Sequence, residues 1–121
     1  MQCLQGQSFA GEFRGTDGVG AGKAYAFSQW PYQVWPESKA GPYRMGYTVR
    51  TASGFRFTEY VPYDDTPGRN IGNWTEDLTH PHDLELYDYN ADPWETANVA
   101  ASPTHADLVQ QLKRVLREQF A

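Results

Sequence analysis

Two alternating runs joined by a three-residue turn constrain this chain more than any other feature. In residues 44–51, Met45, Tyr47 and Val49 fall on one face, and Arg44, Thr48 and Arg50 on the other. In residues 55–61, Phe55, Phe57 and Val61 align opposite Arg56, Thr58 and Tyr60. A period of two marks a half-buried strand. The connection Ala52-Ser53-Gly54 suits a hairpin whose glycine takes the left-handed position of a bulged turn. A second periodicity closes the chain. Leu108, Val109, Leu112, Val115, Leu116 and Phe120 recur at spacings of three and four, which predicts an amphipathic helix over 103–120. Ser102 is its expected cap and Pro103 its first residue. Lys113, Arg114 and Arg117 lie toward the end of the helix, where its dipole favours cations. A sheet and one apolar helix stripe predict an α+β fold, with a small antiparallel sheet of about four strands packed by one long C-terminal helix.

The other elements are read around this pair. Residues 23–29 predict a strand with Tyr25 and Phe27 on one face. Residues 30–43 carry three prolines and two tryptophans, which predicts an ordered loop pinned by aromatics. Residues 62–81 are a long polar stretch with turn dipeptides such as Pro67-Gly68. Residues 84–89 return as a strand, with Leu84 and Leu86 opposite Glu85, Tyr87 and Tyr89. Residues 92–98 predict a helical turn, with Asp92 as cap, Pro93 first and Glu95 reaching back in a capping box. Asn98 would end it in the left-handed conformation. Residues 1–22 are weakly patterned, with four glycines between Gly15 and Gly22, and read as a linker ahead of a folded unit spanning 23–121.

Composition excludes several classes. The net charge of −5 argues against a nucleic-acid partner, which needs a basic face. No apolar run approaches the ~20 residues of a membrane span, so no membrane partner is expected. The opening residues lack the basic and apolar regions of a signal peptide. The one cysteine, Cys3, has no internal disulfide partner and no metal-ligand neighbours.

Candidate ligands elsewhere read mainly as structural. Asp64-Asp65 sits among Pro and Gly as a solvated acidic pair. His80 and His82 fall on one side of an extended segment, but no third ligand is in view. Arg50 and Arg56 read as solvent-facing or interdomain ion-pair partners. Trp30 and Trp35 could stack on a sugar face, and Asn73-Trp74-Thr75 is a glycosylation sequon.

Two strings carry a family resemblance. Leu86-Tyr87-Asp88, Asp92-Pro93-Trp94-Glu95 and Asn98-Val99-Ala100 resemble the L-Y-D … D-P-x-E-x-x-N-L-A signature near the C-terminus of type I sulfatases. Only Val99 departs from it. Ala26-Phe27-Ser28-Gln29-Trp30-Pro31 and Met45-Gly46-Tyr47-Thr48-Val49-Arg50-Thr51 resemble the S-Q-Y-P … M-G-Y-S-I-R-T stretch of the iduronate-2-sulfatase group. Leu4-Gln5-Gly6-Gln7-Ser8-Phe9 is similar to the segment that closes the catalytic domain of those enzymes. The resemblance therefore covers nearly the whole chain, in order.

The resemblance implies the C-terminal subdomain of an alkaline-phosphatase-like sulfatase, with residues 1–22 the tail of the catalytic domain. The parent enzyme would hydrolyse sulfate esters of glycosaminoglycan uronic acid. It would use a formylglycine from Cys-x-Pro-Ser-Arg and a Ca²⁺ whose ligands lie outside this chain. The chain contains no such motif, so it supplies no catalytic residue and no metal ligand, and is expected to be inactive alone. The resemblance implies substrate contact by the loop 30–43 through Lys39, and glycosylation at Asn73; Trp30 joins Lys39 as a substrate-binding candidate on its aromatic ring alone. The resemblance also implies two partners, the catalytic domain and the sulfated glycosaminoglycan. The implied compartment is lysosomal or secreted, or alternatively periplasmic. The competing reading is a non-catalytic carbohydrate- or protein-binding module derived from a sulfatase.

Overall fold

The computed structural model describes residues 23–32, 44–64, 71–72, 74 and 82–121. Five strands run in chain order: β1 (Tyr25–Tyr32), β2 (Arg44–Thr51), β3 (Phe55–Asp64), β4 (Ile71–Gly72) and β5 (Asp83–Asp88). A 3₁₀ turn at Pro103–His105 leads into the helix α1 (Ala106–Phe120). All strand pairings are antiparallel. β1, β2, β3 and β5 form a four-stranded sheet in that order, and the two-residue β4 pairs with the end of β3. The fold is a small α+β unit.

The hairpin predicted from alternation is present, with its turn at Ala52-Ser53-Gly54. Val49 pairs with Phe57 and Met45 with Val61. Gly54 has φ +94°, the left-handed region the turn requires. Thr51 secures the same turn by accepting the Phe55 N–H on its hydroxyl at 3.0 Å. Sheet and helix meet through Val49, Phe57, Val61 and Leu86 on one side and Val109, Leu112 and Leu116 on the other, all buried. Each side chain taken fully out of water contributes about 1.5–3 kcal/mol, so this layer holds the helix on the sheet. Leu112 has no exposed surface, and Leu112→Ala would cost about 2–5 kcal/mol. An aromatic group closes one flank. The Tyr47 ring lies 4.8 Å from Phe120 and 4.5 Å from Trp74, and Phe27 meets Phe120 edge-on at 5.9 Å.

Four expectations need correction. First, β1 runs on through Trp30 and Pro31 to Tyr32, where the prolines predicted a loop from residue 30. The sheet edge makes this possible. Ala24 accepts the Ala52 N–H, so even-numbered residues of β1 turn their backbone polar groups toward β2 and odd-numbered ones turn them away. Pro31 therefore sits where the missing N–H would face outward, and no ladder bond is lost.

Second, β3 extends three residues past Val61, into the stretch read as a polar connection. Third, residues 92–98 form turns and not a helix. Glu95 itself takes the positive φ, 54°, that was expected of Asn98. Fourth, Ser102 makes no side-chain cap, and the α-helix proper starts at Ala106, after the 3₁₀ turn.

Candidate functional site

The two faces of the sheet carry different chemistry. On the helix side, the inward alternation of β3 is Phe55, Phe57, Glu59 and Val61, so a carboxylate stands in the apolar layer. Glu59 has no exposed surface. His82 Nδ1 lies 2.7 Å from Glu59 Oε1, and since a carboxylate only accepts, Nδ1 carries the proton. Arg117 donates from both terminal nitrogens, at 3.1 Å to Oε2 and 3.0 Å to Oε1. Lys113 Nζ stands further off, at 3.8 Å. The guanidinium of Arg117 also lies 5.6 Å from the centre of the Trp74 ring.

A buried carboxylate is tolerable only when paired and hydrogen-bonded, and this one is enclosed by three basic groups. It has no solvent path and is a lock between helix and sheet. Arg117 lies in the last turn of the helix, as expected, and it, Lys113 and His82 also turn to Glu59. The signal was in the sequence: a Glu at an inward position of an alternating run needs a cation.

On the other face, Arg56 makes a two-pronged bond to Glu95. Its Nε reaches Oε1 at 2.5 Å, and Nη2 reaches Oε2 at 2.7 Å. The Tyr89 hydroxyl donates to the same Oε1. Arg50 lies 3.8 Å over the centre of the Tyr89 ring. The hydrogen bond to Glu95 pushes the Arg56 pKa up, and the same bond pulls the Glu95 carboxyl below its usual range. Arg56 is thus an ion-pair partner within this unit, not a solvent-facing group or one reserved for another domain.

In the string from Asp92 to Asn98 one side chain closes the turn and two tie it to the sheet. Asp92 accepts from the Ala97 N–H at 2.9 Å and the Thr96 hydroxyl at 3.1 Å, which lowers its pKa. Glu95 reaches Arg56. Asn98 works along the outer edge of β5. Its Oδ1 accepts from the N–H groups of Leu86 and Ala100, each at 3.0 Å. Its Nδ2 donates to the Leu84 carbonyl, also at 3.0 Å. The Val99 N–H then bonds to the Leu86 carbonyl at 2.9 Å. One side-chain amide and one backbone amide finish the β5 edge as a further strand would.

Trp30 is placed by strand register. It pairs with Gly46, and Gly46 with Tyr60, so all three share the face away from the helix. A Cβ on Gly46 would lie 2.9 Å from Tyr60 Cε1, so the Tyr60 ring lies across the glycine. Trp30 is 75% exposed, so its ring is an accessible aromatic surface on this face. Lys39, Trp35, Asn73, Cys3, Asp65, His80 and residues 1–22 lie outside the described residues. Among the described residues, no three His, Cys, Asp or Glu side chains converge as a metal site. No helix among them is long and apolar enough to cross a membrane.

No protein-family model matches the chain, and no curated protein matches it either.

Proposed function

We propose that this chain is the C-terminal subdomain of a sulfuric-ester hydrolase of the type I sulfatase class, resembling the iduronate-2-sulfatase group. The observation that carries this reading is the use made of Asp92, Glu95 and Asn98. A D-P-x-E-x-x-N string could recur by chance, but here each of its polar residues has a separate bonding role. Together they join a turn to two strands of a sheet that also carries the Met45–Thr51 string as β2. The reading makes the subdomain a scaffold and one wall of the substrate cleft. Trp30 and Lys39 belong to that wall, and the substrate is a sulfated glycosaminoglycan uronic acid. Calcium and the formylglycine belong to the catalytic part, as does the attack on sulfur. A lysosomal or secreted setting, with a glycan at Asn73, goes with the same reading.

The test is to read the transcript upstream of the Met1 codon and assay its product. An in-frame extension encoding Cys-x-Pro-Ser-Arg, whose product desulfates a sulfated uronic disaccharide while the chain alone does not, is the expected result. A stop codon directly upstream, with the short protein detected in cells, removes the reading. That outcome would favour a non-catalytic binding module, for which the exposure of Trp30 and of Trp94 (84%) is the supporting observation. Calorimetric titration of the chain with the same disaccharide, compared with Trp30→Ala, would then check it.

A further inference from the structure

Arg50 and Arg56 stand directly opposite each other on β2 and β3, on the face away from the helix. Like charges in such a cross-strand pair repel. One carboxylate answers them, and Arg56 takes it. Glu95 Oε2 accepts from Arg56 Nη2, and Oε1 accepts from Arg56 Nε and from the Tyr89 hydroxyl. After the Arg56 hydrogen bond, the nearby charge of Arg50 also lowers the Glu95 pKa. Arg50 itself is exposed, and among the described residues its guanidinium makes no hydrogen bond or ion pair.

The Arg50 side chain is nevertheless held in place. Its guanidinium carbon lies 3.8 Å over the centre of the Tyr89 ring. That ring is anchored by its hydroxyl at Glu95 and by the Tyr89 N–H, which bonds to the Gly54 carbonyl at 2.9 Å. Stacking engages the flat face of a guanidinium and leaves the N–H groups around its rim. On the β1 side the neighbour across the ladder is Ala26, an exposed methyl group that leaves room for a ligand.

We propose that Arg50 binds an oxyanion, the carboxylate or sulfate group of a small ligand, on the open face of the sheet. Adjacent N–H groups of the stacked guanidinium match the spacing of two oxygens on such a group. Arg56 adds positive potential from beside the site, while its own donors stay on Glu95 and Thr58. The bound anion supplies the second negative charge that the Arg50–Arg56 pair lacks. Because the stack orients the guanidinium beforehand, less side-chain freedom is lost on binding. The inference rests on side-chain geometry and is independent of the sulfatase reading, which places no substrate group at Arg50.

Heteronuclear NMR of the full chain tests it, with sodium sulfate and sodium acetate as probes and sodium chloride at matched ionic strength as reference. The expected result is a saturable shift of the Arg50 Nε–H and Tyr89 ring signals with at least one of the two oxyanions, and no saturation with chloride. A response to acetate alone assigns a planar carboxylate to the site, and a response to sulfate alone a tetrahedral group. Arg50→Gln should weaken the binding at least about tenfold, read on the Tyr89 ring. Arg50→Lys keeps the charge without the paired donors and should fall between Arg50→Gln and the unchanged chain. The absence of a saturable shift overturns the proposal. So do shifts that chloride reproduces, or that persist undiminished in Arg50→Gln.

Discussion

The imidazole of His82 and the carboxylate of Glu59 lie 2.7 Å apart, and neither side chain has any exposed surface. With Arg117 and Lys113 beside them, they place a charged cluster between sheet and helix, where apolar packing would otherwise be continuous. Removing the carboxylate from such a buried cluster takes away the counter-charge and hydrogen-bond acceptor that its partners were folded around. Glu59→Ala is therefore expected to destabilise the chain by about 3–5 kcal/mol. Urea unfolding followed by circular dichroism reads this as a lower midpoint. A loss below about 1 kcal/mol would mean that the three basic groups find water or other partners, and that the cluster is not a lock.

Asn98 should prove unexpectedly intolerant for an exposed residue. Its amide makes two bonds as acceptor and one as donor along β5. Asn98→Ala is expected to cost about 2–3 kcal/mol. Asn98→Asp keeps the acceptor but sets a carboxylate against the Leu84 carbonyl, so it should not restore stability. Hydrogen exchange gives the local readout. The Leu86 N–H should lose protection in both variants before the β2–β3 amides do.

Arg56 and Glu95 should show energetic coupling. Their bond is bidentate and partly shielded from water, which places it above a typical surface pair. A double-mutant cycle with Arg56→Ala and Glu95→Ala is expected to give about 1 kcal/mol of coupling. Arg56→Lys keeps the charge but loses the fork, and should recover only part of it. Additive single effects would show that the pair contributes nothing net.

The same carboxylates predict a pH dependence. Glu95 and Asp92 both have pKa values lowered by folding, through the Arg56 hydrogen bond and the Ala97 N–H respectively. In the window between the folded and unfolded values the unfolded chain binds more protons, so stability rises with pH there. Their contribution is complete above the ordinary carboxyl range near pH ~4 and is lost as pH falls through the folded values. Thermal midpoints measured from pH 6 down to 2 should fall mainly at the acid end, and less steeply in Glu95→Gln. An equal slope in wild type and variant would remove Glu95 from the account.

Gly54 should resist substitution for two reasons at one position. Its φ of +94° is unfavourable for an L side chain, and a Cβ there would lie 2.7 Å from Asn90 Nδ2. Asn90 uses that nitrogen to hold the Ser53 carbonyl at 3.0 Å. Gly54→Ala is expected to cost about 1–3 kcal/mol, with the unfolding slope unchanged. A neutral result would mean that the turn has a second conformation of similar energy.

Periodicity and burial agree closely where the pattern is set within one element or one hairpin. The β2–β3 hairpin forms as expected because alternation and the Ala52-Ser53-Gly54 turn lie within one stretch of chain. The stripe from Leu108 to Phe120 faces the sheet, with Val109, Leu112 and Leu116 buried. The misreadings occur where a distant partner decides. A capping box was expected to draw Glu95 back toward Asp92, but Arg56, 39 residues away, takes its carboxylate. Three prolines argue for a loop from residue 30, yet Trp30 and Pro31 belong to a strand because the Pro31 nitrogen faces away from β2, where no ladder bond to β2 is lost. Register places Trp30 on the open face, while Lys39 and Asn73 lie outside the described residues.

What the sequence by itself determined is the set of faces: which residues of each strand point together, where the turn falls and which side of the helix is apolar. These follow from periods of two and 3.6, which act between neighbours in the chain. Only the tertiary structure decided which faces meet and which charges are enclosed between them. Glu59 has the same side chain in either setting. It becomes the centre of a buried cluster because folding brings His82 to it from 23 residues away and Arg117 from 58, and excludes water around all three.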